Sequence, residues 1–316
     1  MDNRPNTGLD LVIPEDTRRH VQDALQLPGG VSHPGLMLYR YLDGRPKAGD
    51  QRKAGDQRAT QLQYIATKAA FGTLQPCRQR QEELCDSLRE QGYETVRWKA
   101  RLSSRLAPGL GITSPFENGI SLHRIHGYPM IPGSTLKGIA QEYALAFHYQ
   151  VTPEDSQGRR KAECDVRFAS VFGAQTLAEE ASDEESVPHK GCIIFFDAIP
   201  CSRTRLLEVD VMTPHYGKYY QGEGRVPPAD YLDPKPITFL TVRRGIVFLF
   251  CLAARHFEEP ESGATRPAQD VLKDAQAWLI GALSSLGAGG KTSVGYGRFT
   301  DFRIDGIDQK ASESPA

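Results

Sequence analysis

The residue types best suited to chemistry cluster between Gly287 and Phe299, a stretch that places five glycines within eleven residues. Glycine permits positive φ and lets a backbone approach a ligand closely. A lysine, two hydroxyl residues, a tyrosine and an arginine stand among these glycines, and such side chains bind phosphate oxygens together with neighbouring backbone N–H groups. We therefore predict a phosphate-binding loop. Its candidate binding residues are Gly289, Gly290, Lys291, Thr292, Ser293, Tyr296 and Arg298.

The triplet Gly290-Lys291-Thr292 invites comparison with the P-loop of nucleotide-hydrolysing enzymes. That motif requires a glycine five residues before its second glycine, and Ser285 occupies this position. It also requires a strand before the loop and a helix after it. Here apolar residues recur at helical spacing over 269–286, and residues 296–304 have the pattern of a strand. The reversed order argues against a nucleotide-binding enzyme.

A second concentration of cations lies on a predicted strand over residues 95–102. Apolar residues at every second position alternate with Arg97, Lys99 and Arg101, so one face meets a core and the other carries the cations. Three cations in line repel one another unless an anion lies nearby. The pattern predicts contact with an anionic partner, and an ordinary solvated sheet face is the alternative.

A third candidate site lies at residues 131–138, which read Ile-Pro-Gly-Ser-Thr-Leu-Lys-Gly. The Pro-Gly pair predicts a turn, Ser134 or Thr135 is expected to cap the helix that follows, and Lys137 falls in its first turn. The N–H groups at a helix N-terminus form a ready site for an anion. Ser134, Thr135 and Lys137 are therefore candidate phosphate ligands, and a helix that is merely well capped is the alternative.

The elements that position these residues predict an α+β fold. Strands are expected at 95–102, 192–199, 237–242, 246–254 and from 296, and helices at 134–149 and 269–286. With insertions at 103–134, 150–190 and 200–236 removed, we interpret the order as β-α-β-β-α-β, the ferredoxin-like or RRM-like arrangement, with one strand more than that arrangement contains. The continuously apolar strand 192–199 is expected in a buried central position, and residues 243–245 are expected to form the turn between the following two strands.

Domain boundaries follow from this order. We predict an N-terminal extension with helices over 1–92, a ferredoxin-like domain over 93–305 and a disordered tail over 306–316. The extension contains the hexapeptide Lys-Ala-Gly-Asp-Gln-Arg twice, at 47–52 and 53–58. Two copies are too few for a solenoid, and we interpret the repeat as a solvated loop.

Composition narrows the setting of the protein. The net charge is −1, yet residues 1–110 hold 17 Lys and Arg against 13 Asp and Glu, and residues 111–198 hold 7 against 12. The six cysteines form no Cys-x-x-Cys pair, which predicts free thiols in a reducing compartment. No signal peptide and no apolar run of membrane-spanning length is present. We expect a cytoplasmic protein with no membrane partner.

Three ordered motifs resemble the RAMP proteins of CRISPR effector complexes. They comprise residues 109–119 with 126–138, residues 207–220 with 227–237, and the glycine-rich stretch 287–299. The second contains Met-Thr-Pro-His-Tyr-Gly-Lys-Tyr-Tyr at 212–220 and is similar to the signature of the sixth-subunit RAMPs of type III-B (Cmr) complexes. The resemblance spans about residues 95–303 and leaves the first ninety residues without a match.

This resemblance implies a ferredoxin-like, non-catalytic RNA-binding subunit at the end of the backbone filament of an RNA-guided, RNA-targeting complex. The subunit would hold the 3′ part of the guide RNA and accompany the guide–target duplex, with other RAMP backbone and small subunits as partners. Target cleavage is assigned in such complexes to a different subunit, so no catalytic residue, cofactor or metal is expected here. His215 and Tyr216 join the candidate RNA-binding residues, since a tyrosine can stack on an unpaired base.

The histidines carry the competing hypothesis. Some RAMP relatives are guide-processing endoribonucleases that use a histidine as general base to activate a 2′-hydroxyl, and His123, His126 and His215 are candidates for that role. His123 and His126 also have the spacing of zinc ligands, but no second ligand pair accompanies them. Whether the isolated protein cleaves repeat RNA or only binds it separates the two hypotheses.

Overall fold

The computed structural model describes residues 13–26, 31–41, 51–173, 189–203, 205–214, 234, 236–258 and 265–304, and for residues 51–57 it describes the backbone alone. His215, Tyr216 and the predicted tail at 306–316 lie outside these residues. Within them the chain combines helices with antiparallel sheets, and the predicted α+β class is confirmed.

Helices form both over polar segments and where apolar residues recur at helical spacing, as in the one that precedes the glycine-rich stretch. They are α1 (Glu15–Gln26), α2 (Pro34–Tyr39), α3 (Gln51–Lys68), α4 (Leu74–Glu90), α5 (Gly133–Tyr143), α6 (Ser156–Glu163), α7 (Val166–Phe172) and α8 (Ala268–Ser285). A π-helical turn, Ala144–His148, extends α5. The helix predicted over 134–149 is therefore present with a change of winding in its last turn.

The strands of the described residues form three sheets. They are β1 (Glu94–Leu102), β2 (Ile193–Phe195), β3 (Ile199–Pro200), β4 (Leu207–Met212), β5 (Ile237–Val242), β6 (Val247–Ala254), β7 (Phe257–Glu258), β8 (Thr265–Arg266) and β9 (Phe299–Ile304). The main sheet has the order β2-β6-β1-β9, and β3 also pairs with β6. All of its pairs are antiparallel. The other two sheets are the pairs β4-β5 and β7-β8.

The two faces of the main sheet follow the alternation along β1. Trp98, Ala100 and Leu102 are fully buried, and the Trp98 ring stacks on Phe250 of β6 with ring centroids 5.5 Å apart. Burying each large apolar side chain contributes roughly 1.5–3 kcal/mol. The opposite face carries the cations of β1, and α4 packs against it, since Cys85 of α4 shares a buried cluster with Leu249 and Cys251 of β6.

The described residues separate into two compact units made of alternating segments. The first draws on Met1–Gly72, Ala107–Pro129 and Ser202–Arg243, and it contains α1 to α3 with the β4-β5 sheet. The second draws on Thr73–Leu106, Met130–Cys201 and Arg244–Ala316, and it contains the main sheet with α4 to α8. The boundary predicted between residues 92 and 93 lies inside the second unit.

The strand predicted over 192–199 is neither continuous nor central. Its residues form β2 and β3, which both pair with β6, and β2 lies at an edge of the sheet. Ile194 is 38% exposed. The prediction of one continuous strand was wrong because the chain leaves the sheet at Asp197, whose carboxylate accepts a hydrogen bond from a backbone N–H of α5.

Residues 243–245 form the predicted turn, and the strands on either side of it belong to different sheets. β5 pairs with β4, and β6 pairs with β1, β2 and β3. The Arg243 N–H donates to the Leu206 carbonyl, whereas the Gly245 N–H donates to the Leu102 carbonyl. The turn therefore transfers the chain from one sheet to the other.

The second copy of the hexapeptide is helical. Helix α3 begins at Gln51 and includes residues 53–58, so the predicted loop is wrong for this copy, while residues 42–50 lie outside the described part of the chain. Alanine, glutamine, lysine and arginine favour a helix, and their combined propensity outweighs that of a single glycine.

Two further features bear on the setting of the protein. None of the helices among the described residues is long and apolar enough to cross a membrane. All six cysteines are free, as predicted, and Cys85 and Cys251 are fully buried.

Candidate nucleic-acid interface

The glycine-rich stretch forms a loop, residues 287–298, that is held at both ends by backbone hydrogen bonds. At the end of α8 the N–H groups of Leu286 and Gly287 both donate to the Ala282 carbonyl, each at 2.9 Å. The Ala288 N–H donates to the Gly297 carbonyl at 2.9 Å. This closure brings the two ends of the loop together, so residues 289–296 form its projecting tip. We call residues 287–298 the glycine loop.

Two glycines of this loop are required by its own packing. Gly287 and Gly297 both have positive φ, 85° and 72°. A Cβ on Gly297 would overlap the Ala288 carbonyl, and a Cβ on Gly287 would lie 2.7 Å from the carbonyl oxygen of Tyr296. Gly295 differs, because its φ is 92° but no atom of the described residues lies within 4 Å of its Cβ position. Part of the glycine pattern therefore serves the fold of the loop.

The tip of the glycine loop presents backbone N–H groups. A short 3₁₀ turn, Thr292–Val294, follows Lys291, whose φ of 59° is left-handed. Gly289 and Ser293 are exposed, and Gly290 and Thr292 are partly exposed. Among the described residues no acceptor binds the N–H groups of Gly289, Thr292 or Ser293.

Two cations flank this tip, and neither has a carboxylate partner among the described residues. Among the described residues, neither Lys291 nor Arg298 forms an ion pair, whereas several other arginines do. The Lys291 ammonium lies 5.9 Å from the centre of the Tyr296 ring, which orients it by a cation–π contact. The backbone of Arg298 is fixed, since its N–H donates to Ser104 Oγ and its carbonyl accepts from Ser103. Its side chain is exposed.

The N-terminus of α5 already holds an anion that belongs to the protein. The helix begins at Gly133, and its N–H donates to Asp197 Oδ1 at 2.7 Å. The N-cap residue is Pro132, and Ser134 and Thr135 lie inside the helix, so the prediction that either residue caps it is wrong. A Cβ on Gly133 would overlap the Phe195 carbonyl, which explains why glycine and not a hydroxyl residue stands at this end.

Lys137 and the glycine loop lie at the same end of the second unit. The Tyr143 ring lies against Gly281, and the His148 ring is 5.5 Å from that of Trp278, so α5 and α8 run antiparallel. The first turn of α5, with Lys137, is therefore level with the C-terminal end of α8. Partial burial lowers the pKa of Lys137, and no carboxylate among the described residues pairs with it. Such a cation is stabilised by an external anion.

The cations of β1 have partners within the protein. Arg97 is 21% exposed and lies 3.2 Å from the Asp86 carboxylate. Arg101 lies 3.2 Å from Asp301 and also donates to the Gly245 carbonyl at 3.3 Å. Lys99 is partly buried and is the cross-strand neighbour of Arg303. The sequence pattern predicts an anion near these cations, and for both arginines that anion is an aspartate of this chain.

The histidine motif lies in the first compact unit and organises a tight turn. His123 Nδ1 accepts hydrogen bonds from the N–H groups of Ile125 at 3.3 Å and His126 at 3.2 Å. The rings of His123 and His126 lie 4.8 Å apart, and Tyr128 packs at 4.8 Å from His123. One ring nitrogen of His123 is therefore committed to the backbone. No group of three or more His, Cys, Asp or Glu side chains suited to a metal occurs among the described residues.

The functional residues that the sequence did not indicate are acidic. Asp86, Asp197 and Asp301 decide which predicted cationic or helix-end sites are already satisfied. Nothing in the local pattern around them distinguishes them from ordinary surface carboxylates. The signal that could have found them is the requirement, noted for β1, that cations in line need an anion nearby.

Comparison with known proteins places these features in a family. Residues 99–300 match the sequence model of the RAMP superfamily. The chain is 34% identical over 240 residues to the CRISPR system Cmr subunit Cmr6 of Pyrococcus furiosus, and the alignment covers 65% of this chain and 67% of the relative.

Solved structures extend the comparison to the fold. A chain of the cryo-EM structure of the Type III-B Cmr-beta bound to cognate target RNA aligns with a TM-score of 0.55 at 20% identity, over 83% of this chain and 78% of that one. The crystal structure of Cmr6 from Pyrococcus furiosus aligns with a TM-score of 0.37 at 31% identity, over 66% and 98%. Because the family match covers more than half of the residues, including the whole glycine loop, this chain belongs to the RAMP superfamily.

Proposed function

We propose that this chain is a non-catalytic RNA-binding subunit of a type III-B CRISPR complex that is guided by RNA and targets RNA. In this role it holds the 3′ part of the guide RNA and accompanies the guide–target duplex at the end of the backbone filament. Its partners are the guide RNA, the target RNA, and other RAMP backbone and small subunits. The similarity to Cmr6 and the fold shared with a chain of a Cmr complex support this proposal.

The observation that carries the proposal is the glycine loop. Its tip combines N–H groups that lack acceptors among the described residues with two cations that lack carboxylates there. Phosphate oxygens satisfy both kinds of group, and a polynucleotide supplies them in series. Lys291 acts as a point charge, and the Arg298 guanidinium can bind one phosphate through two N–H groups. Lys137 faces the same end of the unit and extends the basic surface.

The ferredoxin-like arrangement forms part of this proposal. Along the chain, the main-sheet elements follow the order β1-α5-β2-β6-α8-β9, and the spatial order is β2-β6-β1-β9 with every pair antiparallel. Each helix connects two strands that are not neighbours, as expected for a split β-α-β arrangement. This topology supports a ferredoxin-like core to which α4 adds a layer on the second face.

The RNA-binding part of the proposal is tested by removing the charge of the loop. Binding of the purified chain to a fluorescent single-stranded RNA is measured by anisotropy from about 50 to 200 mM salt. Lys291→Ala should weaken binding about threefold to tenfold, and it should reduce the slope of log affinity against log salt by about 0.7. If RNA binding were unchanged both in the isolated chain and in the complex, the loop would be structural and the proposal wrong.

The non-catalytic part is tested with repeat RNA. We expect the purified chain to leave this RNA intact, because His123 uses a ring nitrogen to organise its own turn. Cleavage that is lost in His126→Ala or His215→Ala would instead establish the competing endoribonuclease. The same variants should leave target cleavage by the assembled complex unchanged.

A further inference from the structure

Helix α4 and strand β6 bring two thiols together on the second face of the main sheet. Cys85 and Cys251 are both fully buried, and they lie in one cluster with Leu249. Both cysteines are free, and their thiols hydrogen-bond to each other. A single buried cysteine packs as a small apolar side chain. A hydrogen-bonded pair differs, because its two sulfur atoms already face each other.

Two hydrogen bonds hold the helix over this part of the sheet. Arg97, which lies opposite Cys251 in the β1–β6 ladder, donates to the Glu82 carbonyl of α4 at 3.4 Å. Gln81 Nε2 donates to the Asp197 carbonyl at 2.9 Å. Both contacts lie one helical turn before the thiol of α4. The two thiols are therefore held together by contacts other than their own.

The two sulfur atoms are not equivalent. The hydrogen bond from Cys251 lowers the pKa of Cys85, and the Arg97 guanidinium also favours the thiolate of Cys85. The same hydrogen bond, together with burial, raises the pKa of Cys251. Cys85 is therefore the better nucleophile, and Cys251 keeps its proton. A nucleophilic thiol beside a second thiol is the arrangement from which a disulfide forms.

We propose that Cys85 and Cys251 form an oxidation site, at which hydrogen peroxide converts the two thiols into a disulfide that links α4 to β6. The Cys85 thiolate attacks one peroxide oxygen, so an S–O bond forms, the O–O bond breaks, and the leaving hydroxide takes up the proton that Cys85 released. The Cys251 sulfur then attacks the sulfenic acid of Cys85, so the S–S bond forms, the S–O bond breaks, and a second water leaves with the Cys251 proton. In total the thiols lose two electrons and two protons, and the peroxide becomes two molecules of water.

Burial restricts which oxidant reaches this pair. Neither sulfur is exposed to solvent, and the partly buried residues that border the cluster are Phe196 and Cys201. Hydrogen peroxide is little larger than water, so a small local opening of α4 admits it and excludes a bulky disulfide reagent. Such a bond is reversible by a dithiol reductant, as is typical of redox-sensing disulfides in reducing compartments. This inference is independent of the proposed RNA-binding role, because the glycine loop contributes nothing to the thiol pair.

The test treats the purified full chain with hydrogen peroxide, blocks the remaining thiols with iodoacetamide, and maps the cysteine linkages by peptide mass spectrometry. We expect a linkage between Cys85 and Cys251 that dithiothreitol removes. The oxidised chain should unfold at a temperature at least about 5 °C higher than the reduced chain, because the bond closes a long loop in the unfolded state. Thermal unfolding with and without dithiothreitol measures this difference.

Three variants complete the test. Cys85→Ala and Cys251→Ala should each lose both the linkage and the peroxide-dependent rise in the unfolding midpoint. Cys201→Ala is the matched control, because Cys201 borders the same cluster, and it should retain both. The linkage map of the wild-type chain decides the matter even where a core variant fails to fold.

Three results would overturn the inference. Peroxide that oxidises the partly exposed cysteines and leaves Cys85 and Cys251 as free thiols would show that the pair only packs the core. A linkage of either residue to Cys201 would assign the disulfide to a different pair. A Cys85–Cys251 linkage that forms only after the chain is unfolded in urea would show that the folded protein does not bring the sulfurs together.

Discussion

The basic strand β1 and the glycine loop were both predicted from the sequence to bind an anion, but their cations differ in one physical respect. Arg97 and Arg101 each lie 3.2 Å from an aspartate of the same chain. Lys291 and Arg298 lack a carboxylate among the described residues, and the N–H groups beside them lack acceptors there. A cation whose field is already balanced gains little from a phosphate, whereas an unbalanced one gains the full attraction. The intramolecular partners of the cations must therefore be known before local density of positive charge is used to predict a nucleic-acid surface.

The N-terminus of α5 resembles β1 and differs from the loop. The N–H of Gly133, the first residue of the helix, donates to Asp197. The anion that a helix end attracts therefore comes from within the fold. Lys137, one turn further along, has no such partner among the described residues, and burial lowers its pKa. One turn of helix therefore contains both a group with a partner, the Gly133 N–H, and a cation without a carboxylate partner among the described residues, Lys137.

The largest effect is expected where the glycine loop depends on its own packing. Gly297→Ala introduces a Cβ that overlaps the Ala288 carbonyl, and we expect a loss of about 3 kcal/mol in the free energy of unfolding from strain and overlap. RNA affinity should fall at least about tenfold, because the tip residues lose their arrangement. Denaturant unfolding and fluorescence anisotropy measure the two quantities.

Gly295→Ala is the matched control for this prediction. Its φ is also positive, but in the described part of the chain no atom lies within 4 Å of the new Cβ. We expect only the conformational cost of about 1–2 kcal/mol. Equal losses in the two variants would show that strain alone, and not the crossing of the loop's two ends, governs its stability.

The next prediction exchanges the roles of the two cationic regions. Lys291→Asn removes the charge while retaining a residue type that tolerates left-handed φ, so RNA affinity should fall about threefold to tenfold with stability unchanged within about 0.5 kcal/mol. Arg97→Gln should do the opposite and lower stability by about 1 kcal/mol, because it breaks a half-buried ion pair. Its RNA affinity should stay within about twofold of wild type. A larger loss of affinity in Arg97→Gln would return β1 to the RNA-binding surface.

A third prediction concerns the end of α5. Asp197→Ala leaves the Gly133 N–H without its acceptor and should lower stability by about 1 kcal/mol. Ser134→Ala and Thr135→Ala should each change stability by less than about 0.5 kcal/mol, because neither hydroxyl caps the helix. Thermal or denaturant unfolding of the three variants ranks them. A larger loss in either hydroxyl variant would contradict the assignment of Asp197 as the cap.

The sequence predicted the parts of this site that depend on neighbouring residues. The alternation along β1 and the apolar stripe of α8 are local patterns, and both placed their elements correctly. The neutralising contacts are not local, since Arg101 and Asp301 are separated by 200 residues and Gly133 and Asp197 by 64. No periodicity connects such positions, so local sequence patterns predict the cations but not their partners.

Solution pH provides a fourth test, through Lys137. Burial disfavours its charged form and lowers its pKa below the value in the unfolded chain. The resulting destabilisation is fully present below the folded-state pKa and is relieved as pH rises through it. Lys137→Met should therefore raise the unfolding midpoint at neutral pH, and the difference from wild type should shrink in alkaline solution. A difference that is constant with pH would show that desolvation of the ammonium is not its cause.

The smallest effect is expected when Arg101 of β1 loses its carboxylate partner Asp301. Asp301→Asn keeps a residue that tolerates the left-handed φ of 54° at this position, and it leaves Arg101 without a carboxylate. The ion pair is exposed, so stability should change by less than about 0.5 kcal/mol. RNA affinity should rise about twofold with a steeper salt dependence if charge balance is what separates β1 from the loop. The gain should disappear in the double variant with Arg101→Gln. An unchanged affinity in Asp301→Asn would contradict the role that we assign to charge balance.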